Sequence, residues 1–449
     1  MWKIRKKIIV AGAGHGGIPA AAALAKVGFD VTVYERGSRD KLGYDWTDIF
    51  DPKALSYAGI DMPPKDKYEY KTNMTFFGPS EKVGIHQQVP DDPDVMEIKM
   101  ERSDIYTHLI NHALDCGVKF EYGVNISGPI MQNNRVVGIK TDKGDILGDM
   151  VIDSCGCESV VRANLPDSCG IQKSPRRFEK FYVFRAFYDL GADYESIKDR
   201  YKVMLLPKGK LGIGWLAAEE DYCDLLIGRF DPFDMTEVER TAAAYRKANP
   251  QLGTTLRRGG QFVEIPVRQP LSVMVADGYA AIGDAAFMTV PVIGSGIGNS
   301  LKASKILAET IINDETGTYK AQTLWKYQRD YYKLLGAGLA PLACVKLVLT
   351  RITPQELDYL IDNGILTAEE MTITANDTSL GSFINFDMEL IRRGAKLFKN
   401  GPLTKKLLRV VGDIVKTTVV TNILMPKEYS RSAVQKWAKR YDEIFISDN

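Results

Sequence analysis

The stretch IIVAGAGHGGIPAAAALAKVGFDVTVYERG, Ile8 to Gly37, decides the fold. Lys7 to Ala11 is a continuous apolar β run, and Pro19 followed by AAAALA starts a strong helix. Gly12, Gly14 and Gly17 therefore fall in a strand-to-helix turn. In that context the GxGxxG spacing has a physical meaning: Gly12 permits the tight turn, Gly14 lets a pyrophosphate approach the backbone, and Gly17 lets the helix pack closely on the strand. The helix N-terminus offers free N–H groups to the phosphates. Asp30 to Glu35 reads as a second strand that delivers a carboxylate about 20 residues after the glycines, where a ribose diol would lie. The binding set read from this stretch is Gly12, Ala13, Gly14, Gly16, Gly17, Glu35 and Arg36, with His15 expected to be a loop residue rather than a catalyst. NAD or FAD satisfies this much equally.

A distant segment, DGYAAIGDAAFMTVPVIGSGIGNSLKA at 277–303, discriminates between them. Tyr279 to Ile282 reads as a short buried strand, with Gly283 and Asp284 at its carboxyl end, where α/β sheets bind ligands. The Asp284 carboxylate can accept hydrogen bonds from a ribityl chain. Gly294, Gly296 and Ile297 then open a helix whose positive end favours the negative charge that a reduced flavin gathers at its pyrimidine edge. A nicotinamide ring has no such use for it, so FAD is the expected cofactor.

The chain has 449 residues, 45% hydrophobic and 26% charged, enough for two or three packed units. Lys plus Arg at 58 against Asp plus Glu at 57 removes the electrostatic argument for nucleic acid as a partner. Six cysteines are too few for a disulfide scaffold, and a cytoplasmic location is expected. The basic start Met1 to Lys7 resembles a secretory leader, but the glycine loop interrupts the apolar run at once. The most apolar late segment, GAGLAPLACVKLVLT at 336–350, is expected to be interrupted by Pro341 and Lys346 and not to cross a bilayer.

The first glycine turn, GDAA at 283–286 and PVIGSGIGNSLKAS at 291–304 together resemble the FAD-dependent oxidoreductases of the aromatic hydroxylase and geranylgeranyl reductase group. PxxGxGI with Lys302 five residues beyond Ile297 is most similar to the geranylgeranyl reductase branch, and the resemblance covers roughly residues 5 to 310. It implies that Arg102 meets the FAD pyrophosphate. Hydroxylases carry an Asp-Gly pair followed by serine and arginine where this chain has SCGCESVVR, 154–162. Gly156, Ser159 and Arg162 fit that pattern, whereas Cys155 replaces the Asp, which counts against an NADPH-using hydroxylase. Cys155 and Cys157 are expected to be thiols near the cofactor, with a redox pair as the second reading. Only Cys169 is near them, too few ligands for zinc, so no metal is expected.

The fold class expected is α/β: a Rossmann-like FAD-binding domain (1–75, 100–175 and 270–318), interleaved with a mixed or antiparallel β-sheet substrate domain (76–99 and 176–269). A helical C-terminal region follows at 319–449. Arg102 begins a helix with Ser103 or Asp104 as its cap. Candidates for substrate contact or proton donation are Tyr44, Asp45, Trp46 and Asp48 in GYDWTDIF, and Trp215 on a strand, with Tyr182, Phe184, Arg185 and Met204 as further pocket residues. Met204 and Leu206 stand where geranylgeranyl reductases carry aromatics, a departure that counts against a polyprenyl substrate.

The expected activity is reduction or dehydrogenation of a carbon–carbon bond in a small apolar, isoprenoid or lipid-like molecule through flavin N5, with NAD(P)H or a ferredoxin-type protein as electron donor. An NAD(P)H monooxygenase and an electron-transfer flavoprotein without a small substrate are the alternatives. The basic amphipathic stretch MELIRRGAKLFKNGPLTKKLLRVVGDIVKT, 388–417, suits a helix packed on the body; peripheral membrane contact and docking of an acidic carrier are the competing readings. The oligomeric state is not legible.

Overall fold

The apolar run Lys7–Ala11 becomes the centre of a parallel sheet because both of its faces are covered: Ile8, Ile9, Val10 and Ala11 are fully buried. The computed structural model describes residues 5–87, 89–368 and 400–446. In it, six strands lie in the order Val275–Ala276, Tyr279–Ala281, Met150–Asp153, Lys7–Ala11, Asp30–Glu35, Lys119–Tyr122. All pair in parallel except the first two. Helices Gly17–Lys26, Arg102–Asp115 and Ile297–Ile312 cover it. The Rossmann-like class expected from the sequence is the one found.

Helix Arg102–Asp115 has Glu101, not Ser103 or Asp104, at its N-cap position, and no side chain caps it. Strand Ile98–Glu101 pairs with Thr47–Phe50 up to the Thr47–Glu101 pair, and the Arg102 N–H goes to Trp46 O, so tertiary pairing starts the helix before either polar residue can cap it. Pro19 sits inside the first turn of helix Gly17–Lys26, which begins two residues earlier at the glycines.

A second sheet of seven strands runs Leu252–Pro266, Lys180–Leu190, Tyr222–Arg229, Gly212–Ala218, Tyr201–Leu205, Met74–Phe77, Gly84–Gln87. It is antiparallel except where Tyr201–Leu205 meets Met74–Phe77. The boundary expected at 75/76 thus cuts a strand of this sheet, and Ile98 and Lys99 belong instead to a small sheet with Thr47–Phe50 and Glu69–Tyr70. Strand alternation gives the seven-stranded sheet two apolar faces. Phe184, Ala186 and Met204 pack beneath helix Met235–Ala248, through its Val238, Ala242 and Tyr245. Phe181, Val183 and Phe187 pack on the other face with Trp46.

The C-terminal region is helical as expected, but Pro341 and Lys346 do not interrupt it: Ala321–Leu349 is one 29-residue helix. A π-turn at Tyr332–Gly336 precedes Pro341 and reshapes the hydrogen-bond ladder there, and Lys346 is buried, donating to Phe178 O at 2.7 Å. Among the described residues this helix alone is long and apolar enough to cross a membrane, with 61% of its apolar window buried inside the fold. It packs against helix Gly401–Asn422. Tyr332 meets Trp437 and Tyr441 edge-to-face at 5.5 and 6.0 Å, fastening the last helix, Arg431–Ile446, to it. Of the basic stretch at 388–417, residues 388–399 lie outside those described.

Candidate functional site

The carboxyl edge of the parallel sheet and the Phe181–Val183 face of the seven-stranded sheet enclose a cavity of about 700 Å³, the size of a cofactor or small-molecule site. At one end lies the glycine turn. Gly12 has φ +84°, and a Cβ there would lie 2.6 Å from Ser154 O; one on Gly14 would lie 2.3 Å from Ser154 Oγ. The glycines therefore let the end of strand Met150–Asp153 close on the turn. Gly17 is off the cavity: a Cβ would meet Ser154 and Val10, and its N–H goes to Ser154 Oγ at 3.2 Å, so its part is packing alone.

Gly12, Ala13, Gly14, Gly16, Glu35 and Arg36 line the cavity. Glu35 braces the turn, accepting from Ala13 N–H at 2.9 Å and Gly37 N–H at 2.8 Å. The N–H groups of Gly14, His15 and Gly16 have no partner among the described residues, the condition under which a helix N-terminus takes a phosphate. His15 lies in the turn, as expected of a loop residue, and its side chain also lines the cavity. Its Nε2 is buried without a partner, its ring lies 4.5 Å from that of Tyr106, and burial with Arg102 nearby pulls it down to about 3, leaving a neutral imidazole. The signal available in the sequence was a bulky polar residue among glycines.

Further along, Cys155, Gly156, Gly283, Asp284, Gly294, Gly296 and Ile297 all line the cavity. Gly156 has φ +82°, with nothing within 4 Å of an added Cβ. Asp284 accepts from Thr289 Oγ1 at 3.1 Å, and burial raises its carboxyl. The N–H groups of Ile297 and Gly298, opening helix Ile297–Ile312, are without partners among the described residues. Lys302 lies off the cavity, 3.5 Å from Asp51.

Ser159 and Arg162 turn away from the cavity. The Ser159 hydroxyl donates to Asp153 at 2.6 Å, and the fully buried Arg162 donates to the carbonyls of Cys157, Lys173 and Ala285 and lies 4.5 Å over the Phe287 ring. They brace two loops against each other instead of handling a cofactor. Cys155 and Cys157 are free thiols, both raised by burial and therefore protonated, which disfavours a redox or metal role. No cluster of three metal-ligating side chains occurs among the described residues.

Arg102 lines the cavity, but its Nε and Nη2 are held by Asp48 at 2.5 and 2.6 Å, and its guanidinium lies 5.0 Å from the rings of both Tyr44 and Trp46. Nη1 alone lacks a protein partner among the described residues. Tyr44, Trp46 and Asp48 face the cavity; Asp45 does not, because Arg258 Nη1 at 2.7 Å and Gly259 N–H at 3.0 Å capture its carboxylate outside. Burial raises the Tyr44 phenol, which keeps its proton.

The far half of the cavity is apolar, walled by Phe76, Phe181, Val203, Ile213, Trp215 and Phe230. Tyr182, Phe184 and Met204 are absent from it, since they occupy the alternate strand positions. Trp215 and Arg185 face inward, but every Arg185 nitrogen is engaged. Nε and Nη2 hold Asp224 at 3.0 and 2.6 Å, and Nη1 and Nη2 hold Thr47 O and Oγ1 at 2.5 and 2.7 Å, so it is a strut fastening the Tyr44–Phe50 segment. Two lysines intrude here: Lys71, paired with Glu97 at 2.7 Å, and Lys346.

The fold is the one seen in FAD-dependent monooxygenases, and residues 10–63 match the NAD(P)-binding Rossmann-like domain family. The fold is similar to that of a probable FAD-dependent monooxygenase from Pseudomonas aeruginosa, with a TM-score of 0.59 at 16% identity over 80% of this chain and 100% of that one. In sequence and in fold the chain is also similar to geranylgeranyl reductases. It is 24% identical to digeranylgeranylglycerophospholipid reductase of Haloferax volcanii over 83% of its length and 92% of the relative. It is also similar in fold to a geranylgeranyl bacteriochlorophyll reductase-like protein from Thermoplasma acidophilum, with a TM-score of 0.71 at 20% identity over 90% and 99% of the two chains.

Proposed function

We propose that the chain uses bound FAD to reduce a carbon–carbon double bond of an isoprenoid or similarly lipid-like molecule. The observation that carries this reading is the continuity of the cavity from the glycine turn into the aromatic and aliphatic chamber around Trp215 and Phe230. The names of the relatives support it.

FAD, when bound, supplies the hydride carrier. The unpartnered N–H groups of Gly14, His15 and Gly16 would hold its pyrophosphate, Glu35 its ribose and Asp284 its ribityl chain. The start of helix Ile297–Ile312 would stabilise negative charge on the ring. Trp46, Trp215 and Phe230 exclude water and orient an apolar chain. The Tyr44 phenol faces the cavity with its proton in place and would be the donor, at Oη.

NAD(P)H or a ferredoxin-type protein would deliver the electrons. An anionic lipid surface would meet helix Gly401–Asn422, where Leu408, Val411, Val415 and Val419, continued by Ile423 just past its end, form an exposed apolar stripe at helical spacing. Lys405, Arg409 and Lys416 border that stripe, the pattern of an interfacial helix.

The test is anaerobic reduction of the FAD-loaded protein followed by reoxidation with a geranylgeranyl lipid. Flavin reoxidation matched by loss of one double bond per turnover supports the proposal. Oxygen consumption coupled to NADPH oxidation, with one oxygen atom inserted into the lipid and its double bonds kept, would replace it by a monooxygenase.

A further inference from the structure

The chamber that suits an apolar substrate contains a lysine with no carboxylate at ion-pair distance among the described residues, Glu179 acting on it only from farther away. Lys346 comes from the long helix Ala321–Leu349, is 4% exposed, and lines the cavity beside Leu349 and Phe230, its Nζ 5.6 Å from the Phe230 ring centre. Its Nζ donates to a carbonyl, Phe178 O at 2.7 Å, and no carboxylate lies within ion-pair distance among the described residues. An ammonium has three N–H donors, so two remain unfilled in a wall that is otherwise aromatic and aliphatic. Lys71, the other lysine in this half, is neutralised by Glu97 at 2.7 Å. Burying an unpaired charge is costly, and a fold keeps one where a ligand completes it.

We infer that Lys346 is the anchor for an anionic headgroup, a carboxylate or a phosphate, at the polar end of the apolar molecule that occupies the chamber. The assignment rests on the proposed function for the apolar part of the ligand and adds its polar end. A neutral hydrocarbon or alcohol would leave the ammonium unpaired. An anion would accept two charge-assisted hydrogen bonds from it and discharge the wall. Burial also pulls this ammonium down to about 8, against the opposing pull of the more distant Glu179 carboxylate.

Direct binding tests this without turnover. The FAD-loaded wild type and the Lys346→Met and Lys346→Gln variants would be titrated calorimetrically with geranylgeranyl monophosphate, geranylgeranoic acid and geranylgeraniol. The wild type should bind at least one anion tenfold or more tighter than the alcohol, the ratio for one charge-assisted hydrogen bond. Both variants should lose that preference while keeping the alcohol affinity, and the two anion arms tell phosphate from carboxylate recognition. Equal wild-type binding of all three, or equal weakening of all three in both variants, would overturn the inference. A wild type that prefers the anion through Lys346 yet is reoxidised by none of the ligands would sink the reductase reading and leave Lys346 in its assigned place.

Discussion

Removing the Arg185 guanidinium should destabilise the protein through Asp224 and Thr47, not through any substrate. In Arg185→Met the Asp224 carboxylate, 4% exposed, keeps no counter-ion, and the Tyr44–Phe50 segment loses two hydrogen bonds to Thr47. Breaking a buried pair from one side costs about 3–5 kcal/mol. Asp224→Leu should cost a similar amount by stranding Arg185. The double variant removes both charges and should cost less than the sum, with a coupling energy of about 2 kcal/mol or more. Urea unfolding of the four proteins, followed by tryptophan emission, measures the cycle, since Trp46 and Trp215 both lie against the guanidinium. Single variants within about 0.5 kcal/mol of wild type, or strict additivity, would refute the strut. An unchanged stability with a raised KM would return Arg185 to the substrate.

Glu35→Gln should weaken FAD binding about tenfold, a loss of about 1.4 kcal/mol, in a flavin-fluorescence titration; unaltered affinity would remove Glu35 from the ribose. Cys155 and Cys157 should react with iodoacetamide at neutral pH far more slowly than a free thiol does, as mass spectrometry of the labelled peptides would report; rapid labelling would contradict their protonated state. Lys346 falls from 10.5 to about 8 on folding, so between those pH values the unfolded chain holds more protons and stability should rise with pH. The full penalty, about 3 kcal/mol, is present below pH 8. Lys346→Met should flatten that slope in urea melts taken across the window, and an unchanged slope would contradict the burial argument.

The parallel sheet and its glycine turn were legible because their signals are local: an apolar strand, three glycines, an alanine-rich helix and an acidic strand end within Ile8–Gly37. The inward faces of the substrate sheet were not. Both of its faces are apolar, one beneath helix Met235–Ala248 and one on the cavity, so alternation has no polar side to reveal direction. Tyr182 and Phe184 therefore read as well as Phe181 and Val183, although the latter pair faces the cavity. Asp45 was misread because its captor, Arg258, lies 213 positions away in the chain. Lys346 looked like a break in an apolar run, since sequence cannot distinguish a lysine that ends a helix from one that points into a chamber.

The Arg162 brace has an electrostatic consequence. Its three nitrogens are satisfied by carbonyls, and no acidic side chain forms an ion pair with it among the described residues. A permanent positive charge thus sits just behind the Cys157 and Ala285 loops. That charge biases the adjoining wall of the cavity, at Gly156 and Gly283, towards anions, and its hydrogen bonds are in place before any ligand arrives.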